Sequence, residues 1–102
     1  MMLSVLSALA EPTRLQAVCL LADGSEHCVC ELMQKLGATQ SRMSRHMQVL
    51  RGAGLVLDRR DAQWVRYRLN PEMAREVRAV LDAVICAERA SAPARRGGRE
   101  VA

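Results

Sequence analysis

The sequence predicts a mainly helical domain carrying one small β-hairpin, and three observations lead there. Apolar residues recur at helical spacing in most of the chain. That period gives way once, after Gly54, to an alternating pattern over Leu55–Leu69. Glycine breaks the helical segments at Asp23-Gly24, Gly37-Ala38 and Gly54. At 102 residues the chain makes one domain with a modest core.

Met1–Leu9 is a short helical segment with Leu3, Leu6 and Leu9 as its apolar set, too short to stand without a partner surface. Glu11-Pro12 opens the next helix, since proline is tolerated in a first turn. Leu15, Val18, Cys19 and Ala22 share a stripe on it, with Leu21 beside them. A third helix is expected over Glu26–Leu36, with Val29, Leu32, Met33 and Leu36 apolar. A fourth follows from the N-cap Thr39 to the stop at Gly54, with Met43, Met47 and Leu50 facing the core.

The fourth helix carries Gln40, Ser41, Arg42, Ser44 and Arg45 on its first two turns, away from the apolar stripe. These are donors for phosphates and base edges at the end of a helix that enters a major groove. Helix, glycine turn and basic helix form a helix-turn-helix; the plainer alternative is a helical hairpin with a solvated face. The flank favours the former. Leu55–Arg60, a turn at Asp61-Ala62-Gln63, and Trp64–Leu69 make a hairpin, with Val65, Tyr67 and Leu69 inward and Trp64, Arg66 and Arg68 outward. A hairpin directly after a reading helix is a wing, so the fold expected is a winged helix-turn-helix. Arg59, Arg60 and Gln63 lie where its tip reaches DNA backbone or minor groove. Base contacts are assigned to Gln40 and Arg42. Phosphate contacts go to Ser41, Ser44, Arg45, His46 and the wing arginines, around the Thr39 cap.

Pro71 is expected to start a last helix with Met73, Val77, Val80, Leu81 and Val84 on one side. On so small a domain, a terminal amphipathic helix serves dimerisation, here with the first helix. The domain spans residues 1–89, and from Ala90 onward the composition reads as a disordered tail.

Charge supports a polyanion partner. Net charge is +4, but Lys35–Arg68 alone holds eight basic and two acidic residues, or +6, leaving −2 elsewhere. Trp64 and Tyr67 are the only aromatic residues, too few for the base-stacking platforms that grip single strands. No nucleophile–base pair or phosphate loop is visible, so an enzyme is not expected. No membrane-spanning stretch or signal peptide is read, and a cytoplasmic protein with reduced thiols is expected.

Four cysteines remain. Cys28 and Cys30 flank Val29 at the start of the expected third helix. In a regular helix, residues two apart point about 200° from each other, so both sulfurs hold one ion only if the first turn unwinds. Such unwinding would couple ligand to the reading helix. Thiolates without carboxylates suit soft thiophilic ions. His27 could add a nitrogen for zinc, against the plainer reading of a solvent-facing residue. Cys19 sits on an apolar stripe and reads first as core; Cys86 lies near the end of the last helix.

Four stretches are together distinctive: LSALAEPTRL (6–15), HCVCELMQKL, TQSRMSRHMQVLRGAGLVLDRR and WVRYRLNP. Through them the chain resembles the ArsR/SmtB family of winged-helix metalloregulatory repressors over residues 1 to 89, most of all its arsenite/antimonite-responsive members. The resemblance implies a homodimer that binds operator DNA and releases it when arsenite or antimonite binds. It places the ion on Cys28 and Cys30, but the family's third thiolate falls on Met33, whose thioether is a much weaker ligand. The shell is then completed by a small thiol or hydroxide, or by Cys19 or Cys86 as third ligand. Cys19 and Cys86 also fall where redox- and persulfide-responsive relatives carry their sensing pair, which makes a thiol-sensing repressor the alternative.

Overall fold

The computed structural model describes residues 2–98, with side chains through Ser91. Its elements are α1 (Met2–Leu9), α2 (Pro12–Leu20), a 3₁₀ turn (Leu21–Asp23), β1 (His27–Cys28), α3 (Val29–Leu36), α4 (Gln40–Gly52), β2 (Val56–Asp61), β3 (Trp64–Leu69) and α5 (Arg75–Gly98). This is the expected winged helix-turn-helix, with one addition: the hairpin is the larger part of a three-stranded antiparallel sheet in the order β1-β3-β2.

The punctuation read from the sequence is used as written. Glu11 caps α2, accepting from the Arg14 N–H at 2.8 Å. Gly37 ends α3 at φ 66°, and Gly54 closes the turn after α4 at φ 81°, both left-handed positions that glycine occupies without strain. Thr39 caps α4 by accepting from the Arg42 N–H at 3.3 Å. Met43, Met47 and Leu50 are fully buried. They meet Leu21, Leu32, Val18, Leu55 and, from α5, Leu81 and Ile85 in one core, into which Tyr67 and Leu69 of the wing also turn.

Four expectations are corrected. α3 begins at Val29 rather than Glu26, because His27 and Cys28 are drawn into the sheet opposite Tyr67 and Arg66 of β3. α5 begins at Arg75 rather than Pro71: the Asn70 side chain accepts from the Glu72 N–H at 2.9 Å and folds the intervening residues into a turn. α5 also runs through Gly98, so the chain from Ala90 does not leave the helix there. Ala90, Ala92 and Ala94 favour extension of a helix already nucleated, whereas Pro93 and Gly97-Gly98 oppose it. Residues 99–102 of the expected tail lie outside the described residues. On α1 the apolar stripe is turned: Val5, Ala8 and Leu9 are buried, while Leu3 and Leu6 are 79% and 45% exposed. The wing turn is the two-residue Ala62-Gln63, with Ala62 at φ 58° as the first position of a type II′ turn requires. Among the described residues no single helix is long and apolar enough to cross a membrane.

Candidate DNA interface and thiol site

α4 presents the expected donors. Gln40, Ser41, Arg42 and Arg45 are exposed along its outer face, whereas Ser44 is half-buried. No carboxylate among the described residues pairs with Arg42 or Arg45, so both guanidinium groups face solvent as free charges.

His46 is placed otherwise. Its side chain is only 16% exposed, and Nδ1 lies 3.0 Å from Arg14 Nη1, with Glu11 Oε1 3.8 Å away. A guanidinium can only donate, so Nδ1 is the acceptor in this contact. Arg14 also donates from Nε to the Ala8 carbonyl at 2.7 Å. His46 therefore ties α4 to α2 and α1, which is a scaffolding contact rather than a phosphate contact.

The wing divides similarly. Arg60 and Gln63 are exposed, but Arg59 is held by Glu26 through a two-pronged contact, Nε to Oε2 at 2.8 Å and Nη2 to Oε1 at 2.7 Å. Arg66 donates to Asp61 at 2.7 Å, and Arg51 to Asp58 at 3.1 Å. The first of these pairs joins the wing to the chain just before β1; nothing in the local sequence pattern of Glu26 signals it.

Cys28 and Cys30 lie within reach of each other, joined as a disulfide across the start of α3, with Cα atoms 5.2 Å apart. This overturns the expectation that their sulfurs diverge unless a helical turn unwinds. Cys28 is not helical: at φ −66°, ψ 144° it is the extended N-cap of α3, and its sulfur accepts from the Cys30 N–H at 3.3 Å. As the N-cap, Cys28 turns its side chain back over the first turn of α3, where Cys30 lies.

His27 is neither a solvent-facing residue nor an open ligand. Its side chain is 11% exposed, with Nδ1 2.9 Å from Glu31 Oε2 and Nε2 3.1 Å from Asp23 Oδ1. Carboxylates only accept, so the ring satisfies both only as the imidazolium. Burial disfavours that charge, but the hydrogen bonds to Asp23 and Glu31 outweigh it and raise the histidine pKa. Asp23 is correspondingly lowered to about 2, through the Ser25 N–H first and His27 next. Lys35 closes the chain at 3.1 Å from Glu31.

Among the described residues, no set of three or more His, Cys, Asp or Glu side chains gathers where it could hold a metal ion. The pair at Cys28 and Cys30 thus lacks a third such ligand, and neither Cys19 nor Cys86 joins it. Both of those are free thiols. Cys19 is half-buried under α5, where the Arg89 guanidinium donates to its carbonyl at 3.4 Å. Burial, and then Glu88, push its thiol pKa up. Cys86 is exposed.

Comparison with known proteins agrees with the winged helix-turn-helix fold. Residues 11–57 match the family described as bacterial regulatory protein, arsR family. The chain is 46% identical over 81 residues to an arsenic resistance transcriptional regulator of Pseudomonas putida, spanning 79% of this chain and 70% of that protein. It is 43% identical over 74 residues to the arsenical resistance operon repressor of Escherichia coli, spanning 72% of this chain and 63% of the relative, which is less than two thirds of its length. A homodimeric winged helix-turn-helix DNA-binding domain from Mycobacterium bovis superposes with a TM-score of 0.71 at 28% identity, covering 88% of this chain and 80% of that one.

Proposed function

This chain belongs to the arsR family of bacterial regulatory proteins, and from that premise we propose that it is a homodimeric, cytoplasmic repressor, not an enzyme, that releases operator DNA when arsenite or antimonite binds Cys28 and Cys30. The observation that carries this reading is the convergence of those two sulfurs at the N-cap of α3. Trivalent arsenic forms bonds to thiolates, so the reduced pair is the receptive one. With Met33 in the third position and no further ligand gathered nearby, a small thiol or hydroxide completes the shell.

The route from site to DNA differs from unwinding a helix. Cys28 is hydrogen-bonded in register opposite Arg66, inside the wing's own sheet, while Cys30 lies in the first turn of the helix that packs on α4. An ion spanning the two sulfurs pulls a strand of the wing against the support of the reading helix. Its energy is spent on the geometry of both DNA-facing elements. Gln40 and Arg42 then read bases, while Thr39, Ser41, Ser44, Arg45 and Arg60 hold phosphates, with Gln63 at the wing tip.

The test uses a duplex selected by the protein from a random pool. Arsenite should weaken binding of the reduced protein at least about tenfold. Cys28→Ser and Cys30→Ser should abolish that response, while Cys19→Ser and Cys86→Ser keep it. With no exogenous thiol present, X-ray absorption should count two sulfurs on the ion. A second reading, thiol oxidation sensed by Cys19 and Cys86, draws support from the packing of Cys19 under α5. It predicts the reverse: release by polysulfide or peroxide, lost with Cys19→Ser or Cys86→Ser and indifferent to Cys28.

A further inference from the structure

Glu26 lies outside the reading helix, two residues before Cys28, and it engages a wing arginine that the sequence assigns to DNA. Its carboxylate takes both the Nε and Nη2 prongs of Arg59 at 2.8 and 2.7 Å, the geometry in which a guanidinium grips a phosphate. Beside this pair is a hollow of about 200 Å³ lined by Leu57, Asp58 and Arg68. The Glu26 carboxyl is held below the usual carboxylate range, by Arg59 first and then by Arg66 and Arg68. Among the described residues Arg59 is the wing arginine that bonds it, since Arg66 donates instead to Asp61. Arg60, by contrast, pairs with no acid among the described residues.

We infer that Glu26 is a positioning residue that withholds Arg59 from the DNA backbone and so sets how strongly the wing grips any sequence. The inference rests on the DNA-binding reading above. A phosphate approaching Arg59 must displace the carboxylate from the same prongs and meets its negative charge. Arg60 carries no such charge beside it. Glu26 also directly precedes β1, the strand that carries Cys28, so a displacement of that strand moves the carboxylate and the hold it keeps on Arg59.

The experiment measures binding of the full-length protein to a random-sequence duplex of about 30 base pairs, by fluorescence anisotropy, across a salt series. Removing the competing carboxylate by Glu26→Gln should tighten binding about two- to fivefold, the worth of an exposed ion pair. It should also steepen the dependence of log affinity on log salt by about 0.9 for each phosphate newly neutralised. Arg59→Ala alone should change affinity less than twofold, and combining it with Glu26→Gln should remove the gain. The same charge change at Glu76→Gln, on α5, should leave the slope as it was. The inference is overturned if Glu26→Gln leaves the slope unchanged, if the gain survives Arg59→Ala, if Glu76→Gln reproduces it, or if Arg59→Ala alone weakens binding as much as Arg60→Ala. Should the unmodified protein show no salt-dependent duplex binding, the DNA-binding reading falls and this inference with it. A structure of the unmodified protein on the duplex gives a second readout, in which the Arg59 prongs should still face Glu26.

Discussion

At His27 one side chain joins three pieces of chain: the 3₁₀ turn through Asp23, β1 through its own backbone, and α3 through Glu31. Because its folded pKa is raised above the ordinary 6.5, the unfolded state releases its proton first as pH rises. The stability from this cluster is therefore fully present below pH 6.5 and is lost as pH rises through the folded pKa. Urea denaturation from pH 5.5 to 8.5 should show that decline, and His27→Gln should flatten it. Asp23 acts in the opposite direction: lowered to about 2, it adds stability above its ordinary pKa of 3.8 that disappears only as pH falls toward 2. The charged network stands beside Cys28 without supplying it a ligand, which fixes the strand on which that sulfur sits.

At the scale of elements, the wing turn is where sequence and geometry disagree. A type II′ turn needs a positive φ at its first central residue, and Ala62 adopts 58° there. A non-glycine residue in that region costs roughly 1–2 kcal/mol, and glycine gives back part of this through its greater unfolded-state entropy. Ala62→Gly should stabilise the protein by about 0.5 kcal/mol, raising Tm by about 2–4 °C in melts at matched protein concentration. A lowered Tm would mean that the turn is not of this type. α3 shows another local signal overruled. Its helical pattern extends back to Glu26, but the backbone of His27 and Cys28 finds partners on β3, and sheet pairing takes them. That substitution of strand for helix is what aligns the two sulfurs.

For the whole molecule, the proposed dimer is assigned to α1 and α5. Leu3 and Leu6 lie outward, 79% and 45% exposed, on a helix whose other face is fully packed. Four such leucines would be covered in a two-fold dimer, each Leu3 worth about 1.5–3 kcal/mol when buried and each half-buried Leu6 roughly half of that. Leu3→Glu with Leu6→Glu should raise the dimer dissociation constant by at least about 10²-fold in sedimentation equilibrium, and DNA affinity should fall with it. Unchanged dimerisation would move the interface elsewhere.

The amino-acid sequence alone determined the helix-turn-helix, the capped reading helix from Thr39 to its glycine stop, and the alternation of the wing. Each rests on a period or a cap written within a few residues of itself. It also directed attention to Cys28, Cys30 and the arginines of α4 and the wing as candidates. Only the tertiary structure decided that Cys28 is extended and meets Cys30, that His46 turns inward to Arg14, that His27 is held between two carboxylates, and that Arg59 is claimed by Glu26 from 33 positions away. It likewise chose which leucines of α1 face out. Period and capping depend on neighbours along the chain, whereas a charged group's partner depends on which distant strand or helix is folded against it. No local pattern carries that information.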